Sequence, residues 1–166
     1  ADFRQAVQRA IEDGRTLADF RRDFDTIVAK HGWSYNGGRN WRSRVIYDTN
    51  LQSSYMAGRY EQLMAVREQR PYWQYIHSDA VENPRPQHEA WNGMVLRWDD
   101  PWWQYHFPIN AWGCQCSVRA LSYDDLVRMG KTGPDTAPPI VWEERTMGQR
   151  SANGPRTVMV PQGIDP

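Results

Sequence analysis

The stretch FPINAWGCQCSVRAL, residues 107–121, holds both cysteines of the chain immediately before a run of apolar and β-branched residues. Two other short runs share this composition, YWQYIH at 72–77 and GMVLRW at 93–98, and Pro, Gly or Asn-Gly lies at their borders. Aromatic and β-branched residues favour extended backbone, and the bordering residues favour turns. The sequence therefore predicts a small antiparallel sheet in which the cysteine pair leads into one strand.

The chain ahead of this sheet has the apolar spacing of amphipathic helices. ADFRQAVQRAIEDG at 1–14 places its apolar residues on one stripe and ends at a glycine. TLADFRRDFDTIVAKHG at 16–32 opens with Thr16 and Asp19, which have the spacing of a capping box. Two such helices joined at a glycine predict a helical hairpin.

Two further helices are predicted downstream. Residues 43–67 carry an apolar face and contain no proline, so we expect one long helix there. SYDDLVRMG at 122–130 predicts a short helix in which Ser122 and Asp125 form the capping pair, because a glycine follows as a stop.

Residues 131–166 are rich in Gly, Pro and polar residues, with one apolar patch, PPIVWEE at 138–144. This composition favours an extended arm that lies on a surface rather than a packed domain. The predicted fold class is α+β: N-terminal helices (a helical hairpin plus one long helix), then a small antiparallel sheet and an extended C-terminal arm. The corresponding domains are 1–42 for the hairpin and its loop, 43–130 for the core and 131–166 for the arm.

The charge balance limits the classes of partner. With 20 basic and 20 acidic residues, the chain has no overall field that attracts it to nucleic acid or to a membrane. A nucleic-acid contact would be local, through a predicted basic loop that holds Arg39, Arg42 and Arg44 around Trp41. We find no apolar run of transmembrane length and expect no signal peptide. Two cysteines make no secreted disulfide framework, so synthesis in a reducing cytoplasm is expected.

The residues best suited to chemistry are His88, Cys114 and Cys116. Thiolate and imidazole are the ligands that zinc prefers, and a Cys-x-Cys pair on extended chain can close on one ion from the same side. The sheet would have to bring His88 to that pair. The fourth position is left open between water and three side chains: His77, Asp79 and His106.

Several other roles for the two thiols compete with a metal. Buried cysteines behave as small apolar residues and need no ion, so simple packing stays an alternative. A disulfide within Cys-x-Cys would be strained, and redox catalysis usually uses Cys-x-x-Cys at a helix N-terminus. The sequence contains no phosphate-binding loop, nucleophile elbow or His-Glu-x-x-His motif, so we do not expect an enzyme. A metal-dependent hydrolase that uses His88, Cys114 and Cys116 as ligands is the alternative.

Three tryptophans lie at the same corner of the sequence as the cysteines. Because large rings rarely stay exposed in a group, Trp102, Trp103 and Trp112 are predicted to form one buried aromatic cluster.

The order of these motifs resembles the Mu F-like minor head proteins of tailed bacteriophages, the head morphogenesis family. The resemblance covers about residues 43–166 and begins with the long helix, RVIYDTNLQSSYMAGRYEQL. The residues that carry it are Asp79, Arg85, Pro86, His88, Asn92, Gly93, Asp100, Pro101, Trp102, Asn110, Trp112, Cys114 and Cys116. The chain departs from the family pattern at Gln115, where an Arg is usual, and at PINAWG, which replaces a double-proline form.

The resemblance implies a structural protein of the phage head, assembled in the cytoplasm of the bacterial host and present in few copies in the virion. It implies association with the portal or the capsid interior, with portal, major capsid or scaffold proteins as partners. The resemblance also implies contact with packaged DNA, but it implies no contact with a membrane. Some members of the family continue into a C-terminal effector domain.

Overall fold

The computed structural model of the chain describes residues 2–35, 37–148 and 154–165. The chain divides into two compact units, Ala1–Tyr55 and Met56–Pro166. Their boundary falls inside the long helix, and the division at 42/43 and 130/131 stays a prediction. The part of the predicted arm at 149–153 lies outside the described residues.

The first unit contains helix α1 (Asp2–Glu12), helix α2 (Leu17–His31) and the start of helix α3 (Arg39–Ala65). The predicted capping box is confirmed, because the Thr16 hydroxyl accepts a hydrogen bond from the Asp19 amide and Asp19 accepts one from the Thr16 amide. The α1–α2 hairpin buries one apolar cluster: Ala6, Val7, Phe20, Phe24 and Ile27. The helical hairpin is thus confirmed.

Helix α3 begins four residues earlier than the predicted start at Ser43. The Arg42 amide donates to the Gly38 carbonyl at 2.9 Å, so the helix starts directly after Gly38. The predicted basic loop is therefore wrong: Arg39, Arg42 and Arg44 lie on the first turns of α3.

The second unit is built on a three-stranded antiparallel sheet of order β2–β1–β3. Strand β1 (Tyr72–Ile76) lies at the centre, between β2 (Val95–Arg97) and β3 (Ser117–Leu121). The β1–β3 register runs from Tyr72 opposite Leu121 to Ile76 opposite Ser117. All three predicted strands are confirmed.

Three short helices accompany this sheet: α4 (Pro86–Ala90), α5 (Trp103–His106) and α6 (Tyr123–Arg128). Helix α6 has the predicted capping box between Ser122 and Asp125. Helices α4 and α5 were not predicted, because five and four residues are too few to show a helical period.

The aromatic cluster predicted at the cysteines forms only in part. Trp102 and Trp103 are buried with their ring centroids 5.2 Å apart, in the same core cluster as both cysteines. Trp112 is 49% exposed, so its place in the cluster was wrong. It precedes Gly113, whose φ of +73° belongs to a turn that leaves the neighbouring ring in solvent.

The C-terminal arm contains a two-stranded antiparallel sheet, β4 (Trp142–Met147) and β5 (Arg156–Pro161), where extended chain alone was expected. Ala137 and Ile140 pack against the core of the second unit, and Val160 is buried. The arm therefore lies on the domain, as expected, although part of it forms a hairpin. Within the part of the chain that the structure describes, no helix has both the length and the apolar character needed to cross a bilayer.

Candidate metal centre

His88, Cys114 and Cys116 meet in the core of the second unit, and all three are buried. His88 Nδ1 lies 3.8 Å from Cys114 Sγ and 3.7 Å from Cys116 Sγ. The three candidate ligand atoms lie within 4.8 Å of one another, and both cysteines are free thiols. The structure thus brings together the three side chains singled out as metal ligands, and they could hold one ion.

Local structure explains how these side chains converge. Pro86 occupies the first turn of α4, where its missing amide proton costs nothing, and this turn carries His88 inward. The ring of Trp91 stacks on the imidazole at a centroid distance of 5.3 Å. On the other side, the Cys114 amide donates to the Ala111 carbonyl at 3.1 Å, and Cys116 immediately precedes β3.

A backbone carbonyl fixes which nitrogen of His88 faces the sulfurs. His88 Nε2 lies 2.8 Å from the Gly163 carbonyl oxygen, which can only accept, so Nε2 carries the proton and donates. In the neutral imidazole, Nδ1 is then the nitrogen without a proton, and it faces Cys114 and Cys116. Histidines that bind a metal through one ring nitrogen generally donate a hydrogen bond from the other.

The segment that supplies this carbonyl is held by close packing and by charge. Gly163 has a φ of +86°, and a Cβ there would lie 2.6 Å from Cη2 of Trp91. Arg85 Nε donates to the Asp165 carboxylate at 3.1 Å, and the Asp165 amide donates to the Asn110 carbonyl at 2.8 Å. Sequence reasoning missed Gly163 and Asp165, because they lie 75 and 80 residues from their partners and no local pattern connects them.

The electrostatics of the cluster favour a thiolate. A hydrogen bond from the Cys116 thiol, opposed by burial and helped by His88, lowers the pKa of Cys114 to about 4. The same hydrogen bond, together with burial, raises the pKa of Cys116. Burial would lower the pKa of His88, but its hydrogen bonds with Cys114 and Gly163 outweigh this and raise it. A thiolate beside an imidazole is the donor set of a soft or borderline metal ion.

The three candidates for the fourth ligand differ in position. His77 is half-buried, and its Nδ1 lies 3.5 Å from Cys116 Sγ. Asp79 is exposed. His106 is buried, but its ring stacks on Trp102 at 4.3 Å and its Nδ1 faces the Trp102 carbonyl at 3.1 Å.

The basic residues considered for nucleic-acid contact are engaged within the first unit. Arg39 pairs with Asp25 at 2.5 Å, and Arg44 lies 3.4 Å from Asp48. The Arg42 guanidinium lies over the ring of Trp41. These partners leave less positive charge available for a phosphate than the sequence suggested.

Two cavities in the second unit bear on the hydrolase alternative. One is lined mainly by aromatic residues around Trp98, and the other lies beside Asn92 and Lys131. His88, Cys114 and Cys116 line neither of them. A substrate held in either cavity would therefore not touch the three candidate ligands.

Comparison with known protein families shows which family this chain belongs to. The sequence model of the family described as Phage Mu protein F like protein matches residues 1–119. The chain belongs to that family. The match includes His88, Cys114 and Cys116, and it also includes the N-terminal helices, which lie outside the 43–166 range of the resemblance.

Two relatives are similar to this chain over most of its length. The putative capsid assembly protein F of Escherichia phage Mu is 36% identical over 144 residues, which cover 77% of this chain and 32% of that protein. The Mu-like prophage FluMu F protein of Haemophilus influenzae is 36% identical over 132 residues, which cover 72% of this chain and 31% of that protein. The chain thus spans about a third of the length of these relatives. No solved structure matches it.

Proposed function

We propose that this chain is part of a structural minor head protein of a tailed bacteriophage, which acts in head morphogenesis at the portal or the capsid interior. The observation that carries the proposal is the family match over residues 1–119, together with a relative named a putative capsid assembly protein. Portal, major capsid or scaffold proteins would be its partners, and packaged DNA a further contact. Assembly would take place in the cytoplasm of the bacterial host.

The surface of the second unit supports a role in protein association. Tyr105 and Trp142 form an exposed edge-to-face pair with their ring centroids 5.2 Å apart, and Met159 on β5 is 58% exposed. Exposed apolar side chains that lie together, as this ring pair does, mark sites of protein association. The balanced charge of the chain agrees with protein partners rather than with nonspecific binding to DNA.

A phage or inducible prophage that carries this gene provides the test of the head role. Heads and tails are separated by density centrifugation, and peptides of residues 1–166 are quantified by mass spectrometry in each fraction. We expect few copies per particle, all in the head fraction, and loss of DNA-filled heads when a stop codon interrupts the gene. Absence of the peptides from heads, with normal heads formed by the interrupted gene, would refute the proposal.

The second part of the proposal is a structural zinc ion held by His88, Cys114 and Cys116. Its support is the chemistry of the donors: two buried sulfurs, one with a lowered pKa, face the Nδ1 of an imidazole whose other nitrogen donates to the Gly163 carbonyl. Zinc is the metal that such mixed sulfur and nitrogen sets bind most commonly in structural sites. A bound ion would join α4 to β3 and stabilise a small sheet.

His77 is the fourth ligand that the register of the sheet supports best. The last β1–β3 pair is Ile76 opposite Ser117, so continuing the register by one residue brings His77 opposite Cys116. The His77 amide donates to Asn92 Oδ1 at 3.0 Å, which ties this residue to the chain just after α4. His77 Nδ1 lies 3.5 Å from Cys116 Sγ, at the edge of the cluster. The resulting two-cysteine, two-histidine set would be closed, as structural zinc sites are.

The hydrolase alternative has less support. A catalytic zinc keeps one position open to water and needs a base close to it. Asp79, the carboxylate among the candidates for the fourth position, is exposed and lies outside the buried cluster, so it does not supply that base.

Metal analysis of purified protein tests the zinc site and its fourth ligand separately. We expect about one zinc ion per chain, lost on replacement of His88, Cys114 or Cys116, since a tetrahedral site fails without any one ligand. His77→Ala should weaken zinc binding by more than about tenfold, the loss that even an outer partner of a ligand can cause. It should also change the visible spectrum of the cobalt-substituted protein. His31→Ala, an exposed histidine outside the cluster, is the matched control.

These measurements distinguish a zinc site with four protein ligands, a site with three, and cysteines that bind no metal. No zinc in the wild type at saturating metal, with unfolding unaffected by chelator, would leave the cysteines as simple packing residues. If His77→Ala keeps the wild-type affinity and spectrum, His77 is not a ligand and the protein supplies three. Neither result would bear on the head role, which particle analysis tests by itself.

A further inference from the structure

We propose that an aromatic cavity on the second unit binds an arginine side chain presented by a partner protein. The cavity has a volume of about 490 Å³, and neither the metal-candidate residues nor the chain termini line it. The proposal therefore stands independently of the zinc site.

The walls of the cavity are rings arranged edge to face. Trp73 and Trp103 are buried with centroids 5.7 Å apart, and Tyr60 lies 5.7 Å from Trp73 and 5.2 Å from Phe107. Trp98, half-buried, also lines the cavity. Faces of Trp and Tyr carry negative electrostatic potential, so a pocket of such rings attracts a cation.

Two carboxylates at the mouth add to this potential. Asp99 and Asp100 both line the cavity. Asp99 forms an ion pair with Arg97 at 2.7 Å, whereas Asp100 accepts from the Trp102 amide at 2.9 Å. No ion pair with a cation is formed by Asp100 within residues 2–35, 37–148 and 154–165. A cation that enters the cavity would meet a carboxylate without an ion-pair partner, whereas a phosphate would be repelled.

One arginine of the chain already uses this surface. The Arg67 guanidinium lies 5.5 Å from the centroid of the Trp98 ring, and its Nη1 donates to the Met64 carbonyl at 2.8 Å. A planar guanidinium stacks on an indole better than a compact ammonium does. An occupant that stacks on the aromatic lining in the same way would therefore be an arginine rather than a lysine.

The cavity also contains a ring with an unused hydrogen-bond donor. Trp73 Nε1 is buried and has no acceptor in the part of the chain that the structure describes. Buried polar groups without partners are uncommon in folded proteins and destabilise them, so each calls for an explanation. Trp73 lines the cavity but is fully buried, so an occupant reaches this donor only if the neighbouring rings move.

Indole resonances of the ¹⁵N-labelled chain provide the readout, and N-acetyl-arginine methylamide is the probe. The citrulline analogue is the matched control, because it has the same shape without the charge. We expect the arginine compound to shift the indole signals of Trp73, Trp98 and Trp103, and to bind at least about threefold more tightly than citrulline, a modest cation–π preference at a partly exposed site. The lysine analogue should bind more weakly than arginine.

Two variants test the carboxylate. Asp100→Asn should remove most of the preference for arginine over citrulline, whereas Asp124→Asn, an exposed acid on α6 outside the cavity, should leave it unchanged. Near-UV circular dichroism checks that both variants keep the wild-type fold.

Four outcomes would each overturn the proposal. They are equal binding of arginine and citrulline, equal binding of lysine, shifts centred on other tryptophans, and no shift up to the solubility limit of the probe. Perturbation of the same indoles by a short duplex DNA would also overturn it, because the acidic mouth should exclude phosphate.

Discussion

Replacing Gly163 with alanine is the most direct test of how the C-terminal segment is held at the candidate metal centre. The φ of this glycine is +86°, and an added Cβ would lie 2.6 Å from Cη2 of Trp91 and 3.2 Å from Cβ of Gln87. The segment cannot retreat freely, because its carbonyl accepts from His88 and its neighbour Asp165 pairs with Arg85. The substitution therefore introduces both backbone strain and a collision.

The expected loss follows from these two contributions. A left-handed conformation costs an L-residue about 1–2 kcal/mol, and forcing extra volume into a packed site costs about 1–3 kcal/mol. Gly163→Ala should thus destabilise the second unit by about 2–5 kcal/mol. Gly130→Ala is the matched control: its φ of +74° is similar, but no atom lies within 4 Å of its Cβ position. It should lose only the backbone part, about 1–2 kcal/mol.

Urea unfolding followed by tryptophan fluorescence measures both variants, since seven of the nine tryptophans belong to Met56–Pro166. Trp91→Leu should partly relieve Gly163→Ala in the double variant, with a coupling free energy of about 1 kcal/mol or more. Equal losses at Gly163 and Gly130, or no coupling with Trp91, would show that the collision does not occur. The packing of the segment on Trp91 would then be refuted.

Three further predictions follow from burial, capping and charge. Trp102→Ala should cost about 3–5 kcal/mol in urea unfolding, whereas Trp112→Ala, at a half-exposed ring, should stay within about 0.5 kcal/mol; similar losses would contradict the assignment of their burial. Ser122→Ala removes the hydroxyl that caps α6 and should cost about 1 kcal/mol, with Ser122→Gly close to wild type. Hydrogen bonds from the Ser122 amide and from Arg128 lower the pKa of Asp125. Its stabilising contribution should be present above the ordinary aspartate pKa and lost as pH falls, and Asp125→Asn should flatten this part of the stability–pH curve.

Local patterns predicted the elements whose causes are local. Both capping boxes depend on residues three positions apart, and the structure contains both of them. Strands β1 and β3 were predicted because aromatic and β-branched residues cluster between turn signals. The family resemblance, rather than any period or spacing, supplied the expectation of a phage head protein.

The features that were missed depend on distant residues or on very short segments. The hairpin β4–β5 carries a strand signal in RTVMVP, but its Gly- and Pro-rich surroundings led to an extended arm instead. The Arg85–Asp165 pair joins residues 80 positions apart, and no property of either neighbourhood predicts it. Trp112 was expected to be buried because of its size, yet the turn at Gly113 decides its exposure.

The helices and strands of the second unit are short, which explains how a buried cluster of interacting polar groups can stabilise this unit. Helix α4 has five residues and β2 has three, and segments of this length are not stable by themselves in water. His88 on α4, Cys116 beside β3 and Gly163 near the C-terminus meet through contacts of 3.7 Å and 2.8 Å. These contacts couple the three segments, so that each one stabilises the other two. A metal ion at the sulfurs would strengthen the same coupling, so metal loss should reduce protection of the C-terminal segment as well as of the sheet.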